Sequence, residues 1–248
     1  MRSILSIMSV LIFAAGAKVH AADDAKTILT KAIEAHGGEE NLAKYKAART
    51  KGKGKITLPG LGDVDFTQEV TAMLPDKMKE ILELDIANQK IPITTLINGD
   101  KISIDANGTA LPINDAIKKA IGEARHMAKV ARLTGLLKEK EYDLSVVGDS
   151  KVEGKATVGI LVSRKGQRDI TLHFNKETGL LAKLEHRTVD PTTEKEFAEE
   201  RIILEYTKTD KMPHPKKVLV KRDGEKFMEV EVLDVKLLDS IDEGEFKK

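Results

Sequence analysis

One stretch constrains the fold of this chain more than any other. Residues 152–188 read VEGKATVGILVSRKGQRDITLHFNKETGLLAKLEHRT. Three runs alternate apolar and polar residues: Ala156–Ser163, Asp169–Phe174 and Leu180–Arg187. Gly-containing turns separate them. Alternation with period two, punctuated this way, is the mark of a half-buried antiparallel meander. Residues directly opposite each other lie on the same face of a sheet. Val158, Ile160 and Val162 must therefore share a face with Ile170, Leu172 and Phe174, which requires an odd loop, most simply Lys165-Gly166-Gln167. For Leu180, Ala182 and Leu184 to share that face as well, the loop at Asn175–Gly179 must also be odd.

The rest of the chain repeats the pattern. From Arg49 the period is two, and Lys51, Lys53 and Lys55 alternate with Gly52, Gly54 and Ile56. Val64, Phe66, Val70 and Ala72 share a face of the next strand, with Gln68 among them. Met78, Leu82, Leu84 and Ile86 follow, with Glu80 on the same face, and Ile91, Ile93 and Ile97 continue the series. Asn98-Gly99 and Asp223-Gly224 are two-residue hairpin signals. The last strand switches parity between Val232 and Leu233, so a β-bulge is expected there. Pro213-His214-Pro215 reads as a turn.

Two stretches have helical spacing instead. Ala25–Lys46 reads as two short helices parted by Gly37-Gly38. Pro112–Tyr142 carries a broad apolar face, with Gly135 as the expected break. The expected fold is α+β and mainly β: a large curved antiparallel sheet of about 10 to 11 strands, an unclosed half-barrel covered by the helices. The space between sheet and helical lid is then an apolar cavity.

The N-terminus places the chain. Met1-Arg2, the apolar run Ile4–Ala17 and a small-residue end are the parts of a signal peptide. Cleavage is expected after Ala21, leaving residues 22–248 as one domain, exported to the periplasm. The run is short for a membrane span. The chain has no cysteine, so disulfides and thiolate metal sites are excluded. Cleavage would leave 39 Lys and Arg against 40 Asp and Glu, a net charge of −1. That balance argues against nucleic acid as a partner.

Several segments together resemble the LolA-like family, the outer-membrane lipoprotein-sorting proteins of the periplasm and their relatives. They are Ile33-Glu34-Ala35-His36-Gly37-Gly38, the Gly52-Lys53-Gly54 strand and Leu74-Pro75-Asp76-Lys77-Met78. Ile97-Asn98-Gly99-Asp100-Lys101, Phe174–Leu181 and Val220–Phe227 complete the set. They cover nearly the whole chain after the leader, and they are turns and helix ends rather than catalytic motifs. The resemblance implies an unclosed barrel whose lid encloses acyl chains, with lipoproteins as cargo. An envelope protein-interaction or sensor module on the same fold is the alternative.

The chain carries none of the common catalytic signatures. No two histidines have H-E-x-x-H spacing, and neither a G-x-S-x-G elbow nor a Gly-rich phosphate loop occurs. Asp63 and Asp65 alternate on one strand and read as outward solvated charges. The expectation is a non-enzymatic, monomeric protein without cofactor or metal. It would bind a hydrophobic ligand or lipoprotein acyl chains. The sheet would contribute Phe66, Met78, Leu82, Leu84, Ile93, Val158, Ile160, Ile170 and Leu172. The lid would contribute Ile117, Ile121 and Met127. Plain core packing would use the same residues.

Overall fold

A computed structural model describes the backbone of residues 16–73, 76–191, 193–210 and 212–247, with side chains from Asp24 onward. The apolar run expected to form the leader lies almost wholly outside these residues. The order is α1 (Gly16–Ala35), α2 (Gly38–Lys44), β1 (Ala47–Leu58), β2 (Gly62–Met73), β3 (Lys77–Ile86), β4 (Gln89–Asn98), β5 (Lys101–Ala106) and β6 (Thr109–Leu111). Then come α3 (Asp115–Ala131), α4 (Thr134–Lys138), β7 (Tyr142–Val152), β8 (Lys155–Arg164), β9 (Ile170–Asn175), β10 (Leu181–Val189), β11 (Glu196–Thr209), β12 (Met212–Arg222) and β13 (Glu225–Leu238).

These strands form one 13-stranded antiparallel sheet in the order β6-β5-β4-β3-β2-β1-β13-β12-β11-β10-β9-β8-β7. Chain neighbours pair throughout except β6 and β7, and β1 meets β13 at the centre. The sheet does not close. β6 and β7 are its edges, and α3 and α4 carry the chain from one edge to the other.

Local chemistry sets the turns. Asn107-Gly108 and Asp223-Gly224 both have positive φ at each residue, the backbone that a two-residue hairpin loop requires. The expected bulge is present: Lys51 pairs with Asp234 and Gly52 with Val232, which leaves Leu233 unpaired and 57% exposed. Val158, Ile160 and Val162 face Phe174, Leu172 and Ile170 as parity demands.

The structure corrects four readings. There are 13 strands rather than 10 or 11, in part because the three-residue β6 is too short to show a period. His214 sits in β12, not in a turn. Pro213 and Pro215 are tolerated because β12 pairs with β13 only from Lys217 onward, so this end is a sheet edge. The helical break falls at Leu133 (φ 65°) rather than Gly135, and complete burial of the Leu133 side chain holds that backbone in place. Finally, Leu181 rather than Leu180 points inward. The 175–180 turn packs under α1, and a bulge at Ala182 brings Leu184 back opposite Leu172.

Candidate functional site

Register shows which side chains share the inner face. Leu172, Leu184, Arg201, Val220, Met228, Ile56 and Val64 lie opposite one another in turn, from β9 across to β2. One continuous surface therefore carries two apolar patches, with polar residues between them.

The first patch is a filled core. From α1 come Ala25, Leu29, Ala32 and Ile33, and from the α3–α4 region Met127, Val130, Leu133 and Leu136. They pack on Ile160, Val162, Ile170, Leu172, Phe174 and Leu184. Ile160, Val162 and Leu172 are 0% exposed. Burying a side chain of this size fully is worth about 1.5–3 kcal/mol, so this half anchors the helices to the sheet.

The second patch lies on β1–β4 and β13. Ile56, Val64, Phe66 and Leu84 are buried, while Leu82, Ile86, Ile91, Ile93, Met228 and Val230 are only partly so. No helix residue belongs to this cluster. Gln68 and Glu80, the two inward polar positions, hydrogen-bond to each other across β2 and β3, which lets both remain on an apolar face.

The twelve residues picked out by the sequence therefore divide. Met127, Val158, Ile160, Ile170 and Leu172 belong to the filled cluster, and Phe66, Leu82, Leu84 and Ile93 to the open one. Met78, Ile117 and Ile121 belong to neither. Ile117 and Ile121 are half-buried on the N-terminal half of α3.

Helix α3 spans the two halves. Glu123 accepts a hydrogen bond from Thr188 of β10 at 2.6 Å and pairs with Arg168 at 3.0 Å. Two residues on, the Arg125 guanidinium donates to the Gly99 carbonyl in the β4–β5 hairpin. Asn114 caps the helix through Ile117 N at 2.8 Å, the ordinary use of Asn at an N-cap. His126 is buried with neither ring nitrogen hydrogen-bonded, stacked on Tyr142 at 6.1 Å. Burial, with Arg164, Lys129 and His186 nearby, lowers its pKa.

Between the patches runs a polar band that local sequence does not reveal. His186, Glu199 and Arg222 lie opposite one another on β10, β11 and β12. Glu199 is buried, and burial alone would raise its pKa. The pull of the His186 imidazole and of the neighbouring Arg201 outweighs that and holds it down at about 2. The signal for this band is nonlocal. Three strands must be paired before the three residues meet.

The opposite face is charged over β1–β3 and β13, and apolar near the C-terminus, where Ala47, Ile241 and Phe246 are buried together. A groove of about 730 Å³ crosses β1–β3 and β13 there, lined by residues such as Lys53, Lys55, Asp65 and Glu231. Its charges pair with one another, Lys55 with Asp65 at 2.9 Å and Lys53 with Glu231 at 3.6 Å. This groove is a solvated exterior. On the same face, Ser150 Oγ is 3.1 Å from His173 Nδ1, and His173 Nε2 is 3.1 Å from Glu185. Those are the distances of a nucleophile–base–carboxylate line. Thr157 shares Ser150 at 2.8 Å, and Lys183 ties Glu185 to Glu200, so the line is a cross-strand ladder running over five strands. Among the described residues, no group of three or more His, Asp or Glu could hold a metal ion, and no helix is long and apolar enough to cross a membrane.

No family model and no curated protein matches this sequence. Solved structures do match. The chain is similar to a LolA superfamily protein from Nitrosomonas europaea, with 10% identity, a TM-score of 0.55, and coverage of 90% of this chain and 97% of that one. It is similar to a DUF1329 family protein from Desulfovibrio piger, with 11% identity, a TM-score of 0.52, and coverage of 90% and 97%. A putative outer membrane lipoprotein-sorting protein domain from Vibrio parahaemolyticus gives 10% identity, a TM-score of 0.49, and coverage of 91% and 97%. The fold is LolA-like, as the sequence motifs implied.

Proposed function

We propose that this LolA-like chain is an exported, non-enzymatic carrier that binds an acyl chain, free or on a lipoprotein, against the inner face of β1–β4 and β13. One observation carries the reading. The helices pack on one half of the inner face and leave the apolar surface of the other half partly exposed. A soluble protein rarely keeps a contiguous apolar surface of this kind without a use for it. Each methylene buried there would contribute about 0.8 kcal/mol. Helix α3 would act as the lid, because it touches both the filled half and the β4–β5 hairpin. The periplasm is the proposed compartment, from the leader-like N-terminus.

Native mass spectrometry of the mature protein from an envelope fraction tests this, with lipid extraction alongside. A near-stoichiometric acyl species is expected. A clean apo mass, unchanged after incubation with phospholipid and lipopeptide, would refute the carrier.

A second reading rests on β7. It is an 11-residue edge strand with a partner on one side only. An envelope protein could add a strand there. A partner-dependent loss of amide exchange confined to β7 would support this alternative.

A further inference from the structure

The polar band at the end of the open patch has more cation than an apolar ligand needs. The Arg222 guanidinium lies 3.5 Å from the centroid of the Phe227 ring and 4.5 Å from that of Phe197. Phe227 packs into the open patch with Ile56, Phe66 and Met228, so Arg222 stands where the apolar face stops. Arg222 Nε is buried and makes no hydrogen bond. Its nearest carboxylate oxygen, Glu199 Oε2, is 3.5 Å away.

Glu199 is also shared. Its Oε1 takes Arg201 at 2.9 Å, with His186 Nε2 at 3.7 Å from the same atom. One carboxylate thus serves two guanidinium groups and an imidazole. Asp190 adds negative charge near Arg222, yet burial still lowers the Arg222 pKa. Its buried Nε is left without a hydrogen-bond acceptor where it sits. The side chain is nevertheless 34% exposed and that of Arg201 43%, so an incoming group can reach both. A guanidinium offers a planar fork of donors suited to carboxylate or phosphate oxygens.

We propose that Arg222, with Arg201 beside it, is the headgroup subsite of the open face, and that the ligand is an anionic acyl amphiphile. This rests on the carrier reading above, since the tail would occupy the apolar patch. Carboxylate and phosphate headgroups share the required chemistry.

The test is displacement of an uncharged fluorescent probe, N-phenyl-1-naphthylamine, from the mature chain by dodecanoate, dodecyl phosphate and dodecanol. The two anions are expected to displace the probe at concentrations at least tenfold below dodecanol, and their order identifies the headgroup. Arg222→Gln should weaken both anions about tenfold and leave dodecanol unchanged. Glu199→Gln removes the competing carboxylate and should tighten the anions several-fold, a gain that a merely unfolded variant cannot give. Equal displacement by all three compounds in the wild type would overturn the subsite while leaving the carrier standing. So would an Arg222→Gln effect equal for anions and alcohol. If neither probe nor competitor binds, the carrier reading falls and takes the subsite with it.

Discussion

The two halves of the inner face are built from the same strand pattern and end in different states. On β7–β10, four helices supply a second layer, and Ile160, Val162 and Leu172 are sealed off completely. On β1–β4 and β13 the same alternation yields Leu82, Ile91, Ile93 and Val230 with only partial cover. The difference comes from connectivity. The chain enters through α1 against β7, and α3 and α4 lie next to β7 in sequence, so the buried apolar residues of these helices pack on that side. The lesson is that alternation shows which side chains face inward, while the topology decides which of them are covered.

That contrast can be broken by substitution. Leu172→Ala should cost about 3–5 kcal/mol in urea unfolding, because a sealed site leaves a cavity. Leu82→Ala should cost about 1 kcal/mol or less, yet weaken acyl-chain binding about tenfold through lost methylene contacts. Equal stability costs at the two sites would remove the distinction between filled and open halves.

The glycines sharpen it next. A Cβ on Gly54 would lie 1.9 Å from the Glu229 carbonyl oxygen and 2.9 Å from the Phe66 ring. Backbone cannot step aside, so Gly54→Ala should cost about 2–3 kcal/mol by overpacking and distort the patch proposed to hold the ligand. At Gly159 the nearest atom is a methyl of Val147 at 2.4 Å. Val147 is 52% exposed and can rotate. Gly159→Ala should therefore cost less than half as much and spare binding, as thermal melts and probe titration would show.

Acid separates the halves as well. Glu199 has its pKa held at about 2 in the folded chain against an ordinary 4.5. A carboxylate depressed by folding stabilises above the unfolded pKa, and that stability is lost as pH falls from about 4.5 to 2. The contribution is at most about 3 kcal/mol, since each tenfold drop in proton affinity on folding is worth about 1.4 kcal/mol. The stability gap between wild type and Glu199→Gln should close across that window. A gap that stays constant with pH would show that Glu199 acts by packing alone.

The smallest effect lies at milder pH. His36 and His126 both have lowered pKa values through burial. A base whose folded pKa is depressed takes up its proton more readily when unfolded. Stability on their account is intact above about pH 6.5 and declines below it. His126 stacks on Tyr142, and burial with Arg164, Lys129 and His186 nearby opposes its taking a proton. Hydrogen exchange at pH 5.5 should therefore loosen α3 and β7 before β1–β4. His126→Phe should reduce that loosening. Uniform loosening across the sheet would contradict the assignment.

Much of the fold is legible in the sequence, and the exceptions have physical causes. The parity switch at Val232-Leu233 dictates a bulge because only one alternation fits each side of it. Apolar residues at 180, 181, 182 and 184 fit either parity, so docking under α1 decides the register. Leu133 gives no local hint of a left-handed backbone, since its burial comes from tertiary packing. The polar band is hidden for a different reason. One third of the chain is charged, and Glu199, Arg201 and Arg222 look like any solvated strand residues until β10, β11 and β12 are paired. The partition of the twelve apolar residues is equally out of reach, because it depends on where the helices come to rest.

The most direct test of the open half is photoaffinity mapping with a diazirine-bearing fatty acid, read out by peptide mass spectrometry. The account predicts crosslinks on β1–β4 and β13, centred on Leu82, Ile93 and Val230. Crosslinks concentrated on β7–β10, or none that excess unlabelled fatty acid can compete away, would contradict it.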